Sequence, residues 1–552
     1  MSHTELLDVG SVDVGSVDCL VQLCYLGRSM RRNLALIIVV ALAVGTSPAF
    51  ASDRAEGGSE TGAGAETGGG ILPPGFAVAT YLTGTAGTLP KFGTRGVYTD
   101  HGLAVRYDSP WSGIYGAFDL RASGDGEYVG ARAILDIPNY DVYFLIREAG
   151  LGFDGRPVSA RVGRFPHRDV VESPYSLFVS SRENSAFLYE LDYRSDRVRF
   201  LTRSVELTRN SVHGYPDKSI VFQTFAVTGE RWEVGFQDAT VLVPLPDSGE
   251  QTSDGTGPLF VPEFFFSPLP GYLTQYILGS GEYPWKQDIN YKSLMGFYAA
   301  VDGEEARLPW RLEGQVLVDD FNAHAITHPH REHQNPFMGA WMLSGRMDTG
   351  VGRFRLSHAG ALMYTFQTSG SRNYGYTYYP EISWPRGDER RTFDYRDNYF
   401  GFYLGENTLA LRADWEHDLP VPPQIGGALA LEGGIEYTVS GSKSPANQWG
   451  DYSSWRDHGG EGAFGSTRLL DEEVLEHGLA LSAGSSISPQ VLGGTLTVGI
   501  SGEMTHWWNV LRRDRAETGS SPEQDLYRPS DDNHTTAVLR LTARMKWPGG
   551  TR

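Results

Sequence analysis

"WRLEGQVLVDDF", residues 310–321, decides how this chain folds. In an extended backbone, successive side chains point to opposite faces. Leu312, Gly314, Val316 and Val318 then share one face, and Arg311, Glu313, Gln315 and Asp319 share the other. A strand with an oily flank and a charged flank must lie between two different media, and the rest of the sequence has to say which.

The pattern recurs. "TLALRADWEH" (408–417) places Leu409, Leu411, Ala413 and Trp415 opposite Arg412, Asp414 and Glu416. "AVLRLTARMKW" (537–547) places Leu539, Leu541, Met545 and Trp547 opposite Arg540, Thr542, Arg544 and Lys546. About 18 to 20 such stretches, each of about ten residues, are bounded by Gly, Asp, Asn, Ser or Pro. Soluble strands average about five or six residues, whereas a tilted strand crossing a bilayer needs about nine to eleven. Aromatics gather at strand ends, as in "MTHWW" and "MKW", where an interfacial girdle would hold them. Long polar connections, such as 322–335 and 442–465, alternate with short ones.

The expected fold class is therefore all-β, a large antiparallel transmembrane β-barrel of about 18 strands. Lipid meets the apolar flank and a wet lumen meets the charged one. A barrel of this size leaves interior space that wall side chains alone do not fill. A secreted sandwich or propeller is the competing fold, but it would need shorter strands and an internal repeat. Helical periodicity is confined to "TRLLDEEVLEHGL" (467–479), which reads as a loop element.

The chain has 552 residues, 67 of them Gly, 12% aromatic content and a formal net charge of -20. That charge argues against a nucleic-acid partner, which needs a basic face. Arginine is much commoner than lysine, and guanidinium forks suit carboxylate or sulfate groups. Met30-Arg31-Arg32, the apolar "LALIIVVALAV" (34–44) and "SPAFA" ending at Ala51 have the anatomy of a secretory signal. The expected organisation is an upstream extension (1–29), a signal peptide (30–51) cut after Ala51, a flexible low-complexity linker (52–70) and one barrel domain (71–552). The only cysteines, Cys19 and Cys24, precede Met30, so no disulfide is expected in the exported chain. The expected location is the outer membrane of a bacterial cell.

"LEGQVLVDDF" (312–321) is followed by "MGAWMLSGRMDTGVGRFRLSHAGALMYTFQTSG" (338–370), "YTYYPE" (376–381) and "YFGFYLGENTLALRADWEHDL" (399–419). This succession resembles the Wzi-like capsule-assembly family of outer-membrane proteins, over roughly residues 291–419. The resemblance implies a large monomeric barrel that holds capsular polysaccharide as a lectin and not as an enzyme. The partners it implies are outer-membrane lipid, surface polysaccharide and, during biogenesis, the barrel-assembly machinery. Two other functions are open: a diffusive porin for sugars or small anions, and a barrel-embedded hydrolase.

Several constellations are candidates for binding. Asp319 and Asp320 are adjacent, so a regular strand aims them at opposite faces. They are either a cation or sugar-hydroxyl contact at the lumen rim or a solvated strand end. Arg311, Arg353, Arg355 and Arg412 sit on charged flanks beside acids. They form either a lattice of neutralising ion pairs or an electropositive strip that selects anions. Tyr376, Tyr378 and Trp384 lie in "NYGYTYYPEISWP" (373–385), which either stacks on sugar rings or packs on itself. His324, His328, His330 and His333 surround Pro329; they offer imidazoles to a metal, or make a loop that becomes cationic in mild acid. No metal or cofactor is assigned. No nucleophile elbow, phosphate loop, zinc spacing or dinucleotide fingerprint occurs, and a non-enzymatic role is expected.

Overall fold

The computed structural model describes residues 72, 75–87, 97–124, 135–137, 142–209, 217–244, 260–271, 273–274, 289–303, 308–320, 337–367, 375–378, 395–421, 427–443, 467–514 and 526–547. The N-terminal extension, signal peptide, linker, histidine-rich loop and Trp384 lie outside them.

Period-two segments become strands. The first half of the barrel wall is β1 (Phe76–Gly87), β2 (Val97–Asp108), β3 (Ile114–Ser123), β5 (Val142–Asp154), β6 (Val158–Pro166), β7 (Ser185–Arg194), β8 (Val198–Thr208), β9 (Lys218–Thr228) and β10 (Trp232–Pro244). The second half is β11 (Ile289–Asp302), β12 (Trp310–Asp320), β13 (Met338–Thr349), β14 (Gly352–Ala361), β15 (Thr408–Pro420), β16 (Ala428–Ser440), β17 (Glu476–Ile487), β19 (Gly494–Trp508) and β22 (His534–Trp547). Two short strands, β4 (Leu135–Ile137) and β18 (Gln490–Val491), extend β5 and β19. A separate hairpin joins β20 (Leu511–Asp514) to β21 (Leu526–Pro529).

Each wall strand pairs antiparallel with the next, and β22 returns to β1 in a register running from Val78↔Trp547 to Gly87↔Val538. The result is a closed barrel of 18 strands, with no sheet edge left to satisfy. Wall strands run from 9 residues in β6 to 15 in β19, the lengths that the alternation predicts. Short turns join β2 to β3, β5 to β6, β7 to β8, β9 to β10 and β13 to β14 at one rim, where both ends of the wall, Phe76 and Trp547, also lie. Longer connections occupy the other rim.

The strand that opened the sequence reading obeys its alternation. Leu312 and Val316 are exposed on the outside, while Glu313, Gln315 and Leu317 are buried within. Neighbouring strands match it. Leu343, Leu356, Leu411, Ile435, Leu481, Ile500 and Leu539 all stand exposed on the exterior, and Trp232 and Trp310 stand exposed at the short-turn rim. An apolar belt of this extent is not a surface that stays solitary in water.

The segment 467–479, read as a loop element despite its helical periodicity, is one over its first nine residues. The chain bends through 467–475 and enters β17 at Glu476. Two other connections hold it through Glu472: the Asn407 side-chain Nδ2 and the Ser442 backbone amide both donate to its carboxylate, at 2.9 and 2.8 Å. Local periodicity loses here to long-range hydrogen bonding. In "EYVGARAILDI" (127–137), another alternating stretch, residues 127–134 lie outside the described residues and Leu135–Ile137 form β4.

Candidate functional site

The lumen is the place where this chain can do chemistry or binding, and two inward segments occupy it. The first connects β6 to β7 over residues 167–184. Its run Tyr175, Leu177, Phe178 and Val179 is fully buried. An apolar run between two strands cannot stay in water, and here it folds into the barrel as a strap.

Hydrogen bonds tie the strap to the far wall. The Leu177 amide donates to Gln315 Oε1 on β12 at 2.7 Å, and the Glu172 amide donates to Glu313 Oε2 on the same strand at 3.1 Å. Arg346 of β13 pairs with Glu172 at 2.7 Å. The Tyr175 hydroxyl donates to Glu436 Oε1 on β16 at 2.7 Å. Because β16 stands almost diametrically across the ring from β6, the strap spans the lumen from wall to wall.

Asp169 organises the near end. Its Oδ2 accepts from the amides of Phe178 and Val179, both at 3.1 Å, and from Gln315 Nε2 at 3.0 Å. Its Oδ1 accepts from Gln237 Nε2 of β10 at 2.8 Å and from the Val170 amide at 2.7 Å.

The second inward segment connects β14 to β15, over the described parts of 362–407. Tyr376, Tyr399, Phe400 and Phe402 are fully buried in it. The Tyr376 hydroxyl donates to the Phe178 carbonyl at 2.6 Å, and the Ser180 amide donates to the Phe400 carbonyl at 2.7 Å. The Tyr403 hydroxyl donates at 2.7 Å to the same Glu436 oxygen that takes Tyr175. Burial raises the pKa of Tyr175 and Tyr403 above the ordinary phenol range, so both remain neutral donors.

His167 sits where the two segments meet. Its Nε2 lies 2.7 Å from the Tyr378 hydroxyl, and its ring stacks on Phe400 at 5.4 Å. Burial, with Arg203 and Arg161 nearby, pushes its pKa down to about 3. The imidazole is therefore neutral in the folded protein, while in the unfolded chain it would protonate near its ordinary value of about 6.5. Since the folded form refuses the proton, stability is full above about pH 6.5 and declines as the pH falls toward 3. Hydrogen exchange at pH 7 and pH 4.5 should show faster opening of strap amides in acid, corrected for intrinsic rates. Equal protection at both pH values would remove His167 from this role.

The predicted site residues fall into three groups. Asp319 is an anchor: it pairs with Lys292 at 2.8 Å and accepts the Phe366 amide at 2.6 Å, which holds the second segment to β12. Tyr376 and Tyr378 are packing residues in the lumen core, not open platforms for a sugar ring. Arg311 pairs with Asp302 at 2.8 Å, Arg353 with Asp348 at 2.7 Å, and Arg412 grips both oxygens of Asp414 at 2.8 and 2.9 Å. These arginines form the neutralising lattice. Arg355 differs from them: it makes no ion pair among the described residues and lines a cavity. The side chain of Asp320, like Trp384, lies outside the described residues.

Polar cavities lined by described residues lie beside the plugging segments, and three of them adjoin. One of about 740 Å³ lies against the strap, lined by Arg168, Ser173, Ser176, Arg182, Arg355 and Arg412. A second, of about 340 Å³, shares Arg182, Tyr403 and Arg412 with it. A third, of about 740 Å³, shares Glu416, Glu432 and Ser501 with the second and reaches Gly352 at the short-turn rim. Together they form a tract along the β14–β19 wall. In the middle cavity the carboxylates of Asp414, Glu416, Glu432, Glu436, Glu476 and Glu503 accompany the guanidinium groups of Arg182, Arg396, Arg412 and Arg540. The tract is rich in donors and acceptors of both signs, which suits hydroxyl-bearing ligands better than simple anions.

Sequence reasoning missed Asp169, Tyr175, Gln315 and Glu436 as organisers of the lumen. The signal was the apolar "LFV" at 177–179 in a connection otherwise too polar for a strand.

No family model and no curated protein matches the chain. Among solved structures it is similar to Wzi of Escherichia coli, described as a carbohydrate-binding β-barrel involved in group 1 capsule assembly. The identity is 12%, over 84% of this chain and 83% of that one, with a TM-score of 0.45. It is also similar to OccD3 (OpdP) of Pseudomonas aeruginosa, at 10% identity over 86% and 92% of the two chains with a TM-score of 0.41. A third is OccAB1 of Acinetobacter baumannii, at 7% identity over 85% and 95% with a TM-score of 0.42.

Proposed function

We propose that this chain is an outer-membrane barrel that binds or helps to assemble surface polysaccharide, lectin-like and without catalysis. The strap carries the reading. A connection hydrogen-bonded from β6 across to β12, β13 and β16, and cemented by the buried aromatics of 362–407, is a built obstruction. In a diffusive pore it would leave only a narrow path for solutes. The motif succession at 312–321, 338–370 and 399–419 points the same way. The polar tract beside the strap, with its mixed charges, serines and Tyr403, supplies the hydroxyl-directed contacts that a sugar chain needs. Outer-membrane lipid covers the apolar belt, and the assembly machinery that folds such barrels acts during biogenesis.

The second reading is a diffusive porin for sugars or small anions, favoured by the continuity of the three cavities. Planar-bilayer recording of the purified protein, beside a glycan array, separates the two. Silence with binding of a polysaccharide class is the expected result. Steady large currents without glycan binding would replace the lectin with the porin.

The membrane itself is tested on the belt. Leu343 stands exposed on β13, and an arginine there should cost about 2–4 kcal/mol of stability near the bilayer midplane. Urea titration of the protein in lipid vesicles measures this. An unchanged midpoint, or a protein that stays monodisperse without detergent, would remove the lipid from the picture.

A further inference from the structure

Among the described residues the belt carries a polar window on β8–β11. Val198, Val227, Val234 and Phe297 are exposed and fix the outward faces of β8, β9, β10 and β11. On those same faces the register sets Thr202 beside Gln223 and Gln223 beside Asp238, with Thr240 beside Ser293 in the next row. Unshielded polar groups of this kind are costly against hydrocarbon.

Residues 260–274, "FVPEFFFSPLPGYLT", cover them from outside. The Gln223 amide nitrogen donates to the carbonyls of Phe264 and Ser267 at 2.9 and 3.1 Å. The Thr202 hydroxyl donates to the Phe265 carbonyl at 2.9 Å, and the Gly271 amide donates to Asp238 Oδ2 at 2.9 Å. Gly271 is required by the fit, because a Cβ there would come within 2.0 Å of Thr240 Oγ1. Val261 and Phe264 pack on the outward-facing Val221 and Leu242 as a small core of their own. The covering element then turns Phe266, Leu269 and Leu273 outward, all exposed. Among the fifteen residues the only charge is Glu263.

We propose that the described residues of 260–274 form an in-plane element seated in the membrane, where Phe266, Leu269 and Leu273 take lipid acyl chains and its backbone seals the polar window of β8–β10. The element continues the belt, meeting lipid with side chains on one face and the wall's polar groups with its backbone on the other. Its polar contacts Thr202, Gln223 and Asp238 lie near the middle of their strands, and Val221 and Leu242 carry it toward the rim of the longer connections. This inference rests on the membrane reading above.

The test uses the full chain with Cys19→Ser and Cys24→Ser, carrying single cysteines at Phe266→Cys, Leu273→Cys or, as belt control, Leu343→Cys. Each is labelled with an environment-sensitive fluorophore and reconstituted in phosphatidylcholine vesicles containing acyl-chain spin-labelled lipid. Quenching by that lipid of at least half the control's extent at 266 and 273, with little quenching by aqueous iodide, is the expected result. If the control is quenched by lipid while 266 and 273 respond only to iodide, the in-plane element is wrong and the barrel reading survives. If no position responds to lipid, both fall.

Discussion

Replacing residues 170–182 by a short Gly–Ser linker should convert a silent barrel into one that passes stepwise current. The strap crosses the lumen, and its far attachments are few: Gln315, Glu313, Arg346 and Glu436. Excision removes Tyr175, Leu177, Phe178 and Val179, the apolar mass that fills the centre. The wall does not need the strap to close, because its ladder runs unbroken from β1 to β22. The excised protein should therefore still fold, which heat-modifiable electrophoretic mobility checks independently. Removing the single phenol with Tyr175→Phe should not open the lumen, since Tyr403 still occupies Glu436. If the folded, excised barrel conducts no better than the parent, the strap is not what blocks the lumen.

Asp169→Ala is the point substitution with the largest expected cost. Five N–H groups converge on this buried carboxylate. Truncation leaves them without an acceptor at a depth water reaches poorly. Each buried donor left unsatisfied costs about 1–3 kcal/mol where water does not replace the acceptor, so several at once should cost at least about 3 kcal/mol. Asp169→Asn should recover little of it. Every partner is a donor, and an amide offers one accepting oxygen while turning two donors of its own toward them. The loss falls on strap docking and not on the wall ladder. Protease nicking within 167–184 and rapid exchange of the Phe178 and Val179 amides should appear before any change in barrel mobility. A variant whose strap stays as protected as the parent's would show that the convergence on Asp169 is incidental.

The barrel was legible because its grammar is local. Along β12 and β15, one residue in two declares its side, and the exposed Leu312, Val316 and Leu411 bear that out. The contents of the lumen were not legible, because they obey no period. Asp169 finds Gln315 at a sequence separation of 146, and Tyr175 finds Glu436 at 261. Nothing in the neighbourhood of either residue announces the partner. The aromatic run at 373–385 shows the same limit. Tyr376 and Tyr378 could equally have faced a ligand or each other, and only the arrival of Phe178, His167 and Phe400 decides for packing. The arginines were half legible. Acids beside them in sequence suggested ion pairs, which Arg311, Arg353 and Arg412 make, but the isolation of Arg355 depends on its neighbour Asp414 being already taken by Arg412. The outer element at 260–274 was invisible for a related reason, since its partners Thr202, Gln223 and Asp238 only become neighbours once β8, β9 and β10 are in register.

The join between β1 and β22 sets an order of assembly. One is the first wall strand in sequence and its neighbour the last, so closing the ring pairs residues more than 450 apart in the chain, the costliest contact of the wall in loop entropy. The residues that grip the strap on β12, β13 and β16 all precede that last strand in the chain. An interior so tied to the wall has to be in place when the cylinder shuts, because a closed ring leaves the strap no way in except through its mouth. A chain that zips too early would be a sound shell with its contents left outside.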